Sequence, residues 1–326
     1  MSPRRWMLGM ALALGLAAPA AAQPAPDCPR GALDARFCDR DGDLVADIPT
    51  DPRQHVDPPT LIFAYTPVED PAVYRRVWQE FLDHMQRVTA RRVQFFAVQN
   101  NAAQIEAMRS GRLHIAAFNT GSTPLAVNCA GFRPFAMMAS RDGAFGYEME
   151  IIVPAGSPAQ RLEDLRGRTI AFTAQTSNSG FKAPSALLES QFGMVADRDY
   201  RTAFSGRHDN SILGVANRDY DAAAIANSVL NRMVARGAVN PAALRSIYRS
   251  ETFPTSAYGV AHNLAPALQE RIREAFFTFN WEGTALLAEF QRSQPPQEKF
   301  IPITYREHWA VVRRVDQAMN VSYACR

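Results

Sequence analysis

Three polar turns carry the residue types that could hold a small anion. They read Phe118-Asn119-Thr120-Gly121-Ser122-Thr123-Pro124, Thr176-Ser177-Asn178-Ser179-Gly180 and Ser205-Gly206-Arg207-His208-Asp209-Asn210-Ser211. The first two follow apolar runs, and a helix-like pattern comes after each of the three. Pro124 suits a first helical turn. Hydroxyls and free backbone N–H groups at a helix N-terminus bind anions through partial charges, without Lys or Arg. Taken singly, such a turn is ordinary capping. Repeated at the carboxyl ends of strands, where α/β proteins hold ligands, the turns point to a shared site. Asn227, which follows the apolar run ending at Ala226, joins the candidates.

Catalytic patterns are missing. The sequence has no Gly-x-Ser-x-Gly elbow, His-Glu-x-x-His, Walker loop or Rossmann glycine fingerprint, and the six His show no metal-ligand spacing. A hydrolase built on Ser177 and His208 would lack an oriented base and an oxyanion arrangement. No enzyme activity, catalytic residue, cofactor or metal is therefore expected. Asp39-Arg40-Asp41-Gly42-Asp43 with Asp47 resembles a calcium loop, but its Gly falls earlier than the EF-hand pattern requires, so it is read as a solvated acidic turn.

The elements that must position the turns alternate in type. Leu61–Tyr65, Val93–Val98 and Leu113–Phe118 read as strands, with helical spacing from Val73 to Val88 and from Ala102 to Arg109. The pattern returns with strands at Met149–Val153, Thr169–Thr173, Asp221–Ala226 and Tyr258–His262, and with closing helices around Leu268–Phe279 and Trp309–Met319. Such βαβ alternation predicts an α/β fold of mostly parallel sheets, here in two halves with a cleft between them. The predicted division is a signal peptide at 1–22, an extension at 23–59, lobe one at 60–150 plus 258–326, and lobe two at 151–257.

Composition agrees with a soluble chain. Hydrophobic residues are 47% and charged residues 21% of 326, an ordinary globular balance. Thirty-five Lys+Arg against 32 Asp+Glu gives +3, which argues against a nucleic-acid partner. Arg4 and Arg5, the apolar Met7–Ala18 and the small residues Pro19-Ala20-Ala21-Ala22 make a secretory signal cut after Ala22. No lipobox precedes Cys28, so soluble export is expected, to a compartment that permits disulfides.

From about Thr60 to Thr304 the chain resembles the periplasmic solute-binding proteins of phosphonate, phosphite and phosphate-type ABC transporters, which are type II periplasmic binding proteins. The resemblance rests on Ala64-Tyr65-Thr66-Pro67, Phe118-Asn119-Thr120-Gly121, Asp164–Phe172, Thr176-Ser177-Asn178-Ser179-Gly180 and Ser205-Gly206-Arg207-His208-Asp209. It implies a hinged Venus-flytrap fold, a periplasmic monomer, a small oxyanion ligand and an ABC permease as partner. It also implies that Tyr65, Asn119, Thr120 and Ser122 contact the ligand from lobe one. Thr176, Ser177, Asn178, Ser179, His208 and Asn227 would do so from lobe two.

Relatives that bind aminoalkylphosphonates are expected to place carboxylates near the ammonium group. The matching stretches here, Ile225–Ser228 and Thr252–Ser256, have none. A ligand without an amine is therefore expected, since a buried ammonium needs a counter-charge. The alternative is an arsenite sensor that uses a Cys129 thiolate and presents its closed form to a sensor kinase.

Four Cys allow three pairings. Cys28–Cys38 closes a short loop, and a final helix returning to lobe one would join Cys129 to Cys325. The other possibility ties an N-terminal Cys to Cys325 and leaves Cys129 free.

Overall fold

The structure, a computed structural model, describes residues 28–325. The signal-peptide reading of 1–22 lies outside the described residues.

The first half runs β1 (Thr60–Ala64), α1 (Pro71–Val77), α2 (Gln79–Thr89), β2 (Arg92–Phe95), α3 (Asn101–Arg109), β3 (Ile115–Phe118), α4 (Thr123–Ala130) and β4 (Phe132–Ala139). The chain then crosses to β5 (Tyr147–Pro154), β6 (Thr169–Phe172), α5 (Ala183–Phe192), β7 (Arg201–Phe204), α6 (His208–Ala216), β8 (Ala222–Ala226), α7 (Asn227–Ala235) and β9 (Leu244–Phe253). It returns through β10 (Ala257–Ala261), α8 (Pro266–Phe277), α9 (Ala285–Phe290), β11 (Lys299–Pro302), α10 (Tyr305–His308) and α11 (Ala310–Ala318).

Two sheets result, ordered β11-β4-β10-β3-β1-β2 and β7-β6-β8-β5-β9. Each has its own apolar cluster, one around Phe63, Trp78, Phe118 and Phe276, the other around Ile151, Phe172, Leu188 and Ile225. This is the expected two-lobed α/β architecture, but the sheets are mixed rather than mostly parallel. Only β2-β1-β3 and β7-β6-β8 run parallel. The crossings account for much of the difference. Parallel strands β3 and β8 end at the cleft, whereas β5 and β10 enter from it, so each lies antiparallel to its neighbour, with Met149 opposite Ala226 and Ala257 opposite Phe118. Because β5 pairs with β8 and β9 along its length, the chain leaves the first sheet before Tyr147, ahead of the division read at 150/151.

The single helix expected from Val73 to Val88 divides at Trp78, whose buried indole sits among Phe63, Tyr65, Tyr258 and Phe290. The segment from Cys28 lies on lobe one, where Leu33, Phe37, Val45 and Ala46 join the core. Cys28–Cys38 and Cys129–Cys325 are both bonded, as the favoured pairing predicted. The second bond ties the chain end to α4. The last helix, α11, leans on both lobes: Val312 belongs to the first cluster and Val315 packs on the second.

Candidate functional site

Four helix N-termini meet between the sheets. In lobe one the turn after β3 leads into α4, with Ser122 at the cap. In lobe two, Ser177 caps the turn that runs into α5, its Oγ accepting the Gly180 N–H at 3.0 Å. Helices α6 and α7 begin at His208 and Asn227. The first N–H groups of a helix have no intrahelical acceptor, so their donors and dipoles favour negative charge here.

A cavity of ≈ 50 Å³ lies at this junction, lined among others by Tyr65, Asn119, Thr120, Ser177, Asn178, Ser179 and His208. Seven of the ten residues singled out as ligand contacts from sequence thus share one wall. Three do not reach it. The Ser122 hydroxyl turns back to the Asn119 carbonyl at 3.3 Å. Thr176 accepts from Asn101 Nδ2 at 2.8 Å and links the lobes at the rim. Asn227 accepts the Glu148 N–H through Oδ1 at 3.0 Å, facing away. Its neighbour Ser228 takes the place at the wall, with Tyr147, Arg232, Thr255, Ser256, Tyr258 and Gln297. Signals for several of these were present in the sequence. Ser228 shares the α7 start with Asn227, Arg232 stands one helical turn further on, and Tyr147 opens a crossing strand.

Burial sets the protonation of the wall. It holds the His208 imidazolium down to about 4, so the ring is neutral. His208 Nδ1 accepts the Ala226 N–H at 3.2 Å, which puts the ring proton on Nε2 as a donor. Burial also pushes the Tyr65 hydroxyl up to about 12 and raises Tyr147, so both remain protonated donors. The folded His208 value lies below the ordinary 6.5. Its contribution to stability is therefore present above that value and lost as pH falls toward 4, because the unfolded chain takes up a proton that the folded chain refuses. His262, also held down to about 4 by burial, acts in the same direction. Melting temperature should fall between pH 6.5 and 4, and His208→Gln should make the slope shallower. An unchanged slope in that variant would contradict this.

Arg232 brings the nearest positive charge, already balanced. Its guanidinium donates to Glu69 at 2.8 Å and to Ser293 at 3.1 Å. Arg236 joins Glu69 to Glu289. Burial works to raise the Glu69 carboxyl, yet Arg232 and Arg236 hold it below the ordinary carboxylate value. Both Glu side chains come from lobe one, Arg232 from α7 and Arg236 from its C-cap in lobe two, so this quartet closes across the cleft, and Arg292 of lobe one pairs with Glu289 at its edge at 3.2 Å. A second clamp is Lys182, which meets Asp316 of α11 at 2.8 Å and donates to the Gly121 carbonyl of lobe one at 2.8 Å.

Ser177 Oγ caps its helix and His208 Nδ1 holds Ala226, with no hydrogen bond between the two among the described residues. Cys129 is bonded to Cys325 and has no thiolate to offer arsenite.

The family model described as "ABC transporter, phosphonate, periplasmic substrate-binding protein" matches residues 63–308. The chain belongs to this family. As a phosphonate-family binding protein it is a periplasmic component that works with an ABC permease. It is 26% identical over 230 residues to the phosphate-import protein PhnD of Mycolicibacterium smegmatis, covering 67% of this chain and 71% of that protein. To the phosphonates-binding periplasmic protein of Escherichia coli it is 26% identical over 206 residues, covering 62% of this chain and 61% of that one.

Solved structures share the fold of this phosphonate-family protein. A binding component of a Pseudomonas aeruginosa ABC phosphonate transporter aligns with TM-score 0.72 at 22% identity, covering 82% of this chain and 90% of that chain. PhnD1 of Prochlorococcus marinus, solved with methylphosphonate, aligns with TM-score 0.71 at 15% identity, covering 81% and 99%.

Proposed function

We propose that this protein captures a small tetrahedral oxyanion without an amine (phosphite, methylphosphonate or phosphate) and delivers it, as a monomer, to its transporter. The observation that carries the reading is the makeup of the wall. It offers hydroxyls, amides and a neutral imidazole N–H, and among the described residues no Asp or Glu lines it. An aminoalkyl ligand would bury an ammonium with no carboxylate on that wall to receive it. Size agrees. A cavity of ≈ 50 Å³ exceeds the about 10–15 Å³ that admits a single water, so it has room for a small ligand.

Asn178 fits the same role. Its Nδ2 donates to the Tyr147 hydroxyl at 3.2 Å, while Oδ1 is buried without a partner. Rotating the amide by half a turn would let Oδ1 accept the Tyr147 O–H and turn two N–H donors toward an anion. The names of the curated relatives, one a phosphate importer and one a phosphonate binder, support the ligand class.

Calorimetry with phosphite, methylphosphonate, phosphate and 2-aminoethylphosphonate tests the reading. The first three should include the tightest ligand, with the amine at least about a hundredfold weaker, in keeping with the several kcal/mol of an uncompensated buried charge. Tightest binding of 2-aminoethylphosphonate would overturn it.

A further inference from the structure

The acidic turn set aside above has a geometry that plain solvation does not explain. We propose that Asp39, Asp41 and Asp43 bind one calcium ion on lobe one, outside the oxyanion cavity. One carboxylate oxygen from each lies within 4.8 Å of the others. Oxygens sharing a Ca²⁺ at about 2.3–2.6 Å sit up to roughly 5 Å apart, so this spacing is in the range that one ion bridges with small side-chain adjustments.

The independent observation is Asp39 itself. It is only 8% exposed. Its Oδ2 accepts the Leu44 N–H at 3.1 Å, whereas Oδ1 is buried with no partner among the described residues. A buried carboxylate oxygen without a donor is unfavourable, and a cation in the cluster would satisfy it. Neighbouring arginines are otherwise engaged: Arg40 pairs with Asp47 at 3.0 Å and Arg306 donates to the Gly42 carbonyl at 3.0 Å.

The sequence objection was the early glycine. In the EF-hand the residue after the third acidic position makes the sharp turn. Here that residue is Leu44, and it adopts the left-handed conformation (φ 71) despite its side chain. The loop is fixed at both ends by the Cys28–Cys38 bond, by Asp47 N–H donating to the Cys38 carbonyl at 2.8 Å, and by Val45 and Ala46 in the core. Several carboxylates in an irregular loop suit calcium better than magnesium, which demands near-ideal octahedral geometry and retains water.

The test is calcium titration of the EDTA-treated mature protein by calorimetry and thermal shift. One site is expected, with Kd of about 10⁻³ M or tighter, in the range of extracellular modules, and a melting temperature that rises with calcium. Asp41→Asn and Asp43→Asn, on an exposed and a partly exposed residue, should each weaken calcium binding at least tenfold and leave oxyanion affinity unchanged. Three results would overturn the proposal: no heat and no thermal shift up to about ten times that Kd, an equal shift from MgCl₂, or an undiminished response in the variants. Because oxyanion affinity is read separately, failure here leaves the ligand assignment standing.

Discussion

Arg232→Met should lower oxyanion affinity by more than a hundredfold, and adding Glu69→Gln to it should restore most of the loss. Glu69 is 1% exposed and Arg232 2%. Removing only the arginine leaves Glu69 buried with no partner of its own, sharing Arg236 with Glu289, which keeps the more exposed Arg292 beside it. Breaking a buried pair on one side typically costs about 3–5 kcal/mol, whereas replacing both members with groups of similar volume is often nearly neutral. The double variant removes Arg232 and Glu69 together and keeps Arg236 and Arg292 with Glu289. Because the charges are drawn from both lobes, the imbalance falls on the closed arrangement that holds the ligand. Calorimetry on the single and double variants decides the point. If both lose affinity equally, Arg232 acts as a direct ligand contact and charge balance is not its role.

That quartet also marks where sequence reading stops. The strands around Leu61–Ala64, Ile115–Phe118, Thr169–Phe172 and Ala222–Ala226 were legible because buried parallel strands form short apolar runs between turns. The polar turns at their ends were legible for the same reason, and seven predicted contacts line the cavity. Strands β4, β9 and β11 carry a weaker signal. Strand β9 is partly buried or exposed at every position before Phe253 and contains Arg245 and Arg249, as a strand at the sheet edge can. Glu69, Arg232 and Glu289 are far apart in sequence, and only lobe closure makes them partners. Ser122 misled because a hydroxyl at a cap satisfies backbone groups as readily as it contacts a ligand.

Gly121→Ala should leave the unliganded protein folded and impair closure on ligand. Gly121 has no positive φ to account for it, so the reason for glycine is space. A Cβ there would lie 2.4 Å from Asn178 N and 2.4 Å from the Thr176 carbonyl oxygen, both backbone atoms of the opposite lobe. Nonbonded atoms rest at about 3.5–4.0 Å, so the two turns would have to part by roughly 1 Å. That separation would stretch the Lys182–Gly121 and Asn101–Thr176 hydrogen bonds, which join the lobes at 2.8 Å each. It would also widen the anion cavity, since Thr120 and Asn178 on either side of the contact line it. Overpacking of this kind costs about 1–3 kcal/mol, a loss of about five- to 150-fold in affinity. The three nearest atoms all belong to lobe two, so the melting temperature without ligand should hold. Small-angle scattering supplies the second measurement: a tight ligand should shrink the wild-type protein, as hinge closure does, and shrink the variant less. Wild-type affinity with full contraction in Gly121→Ala would show that the lobes do not need this contact to capture the ligand.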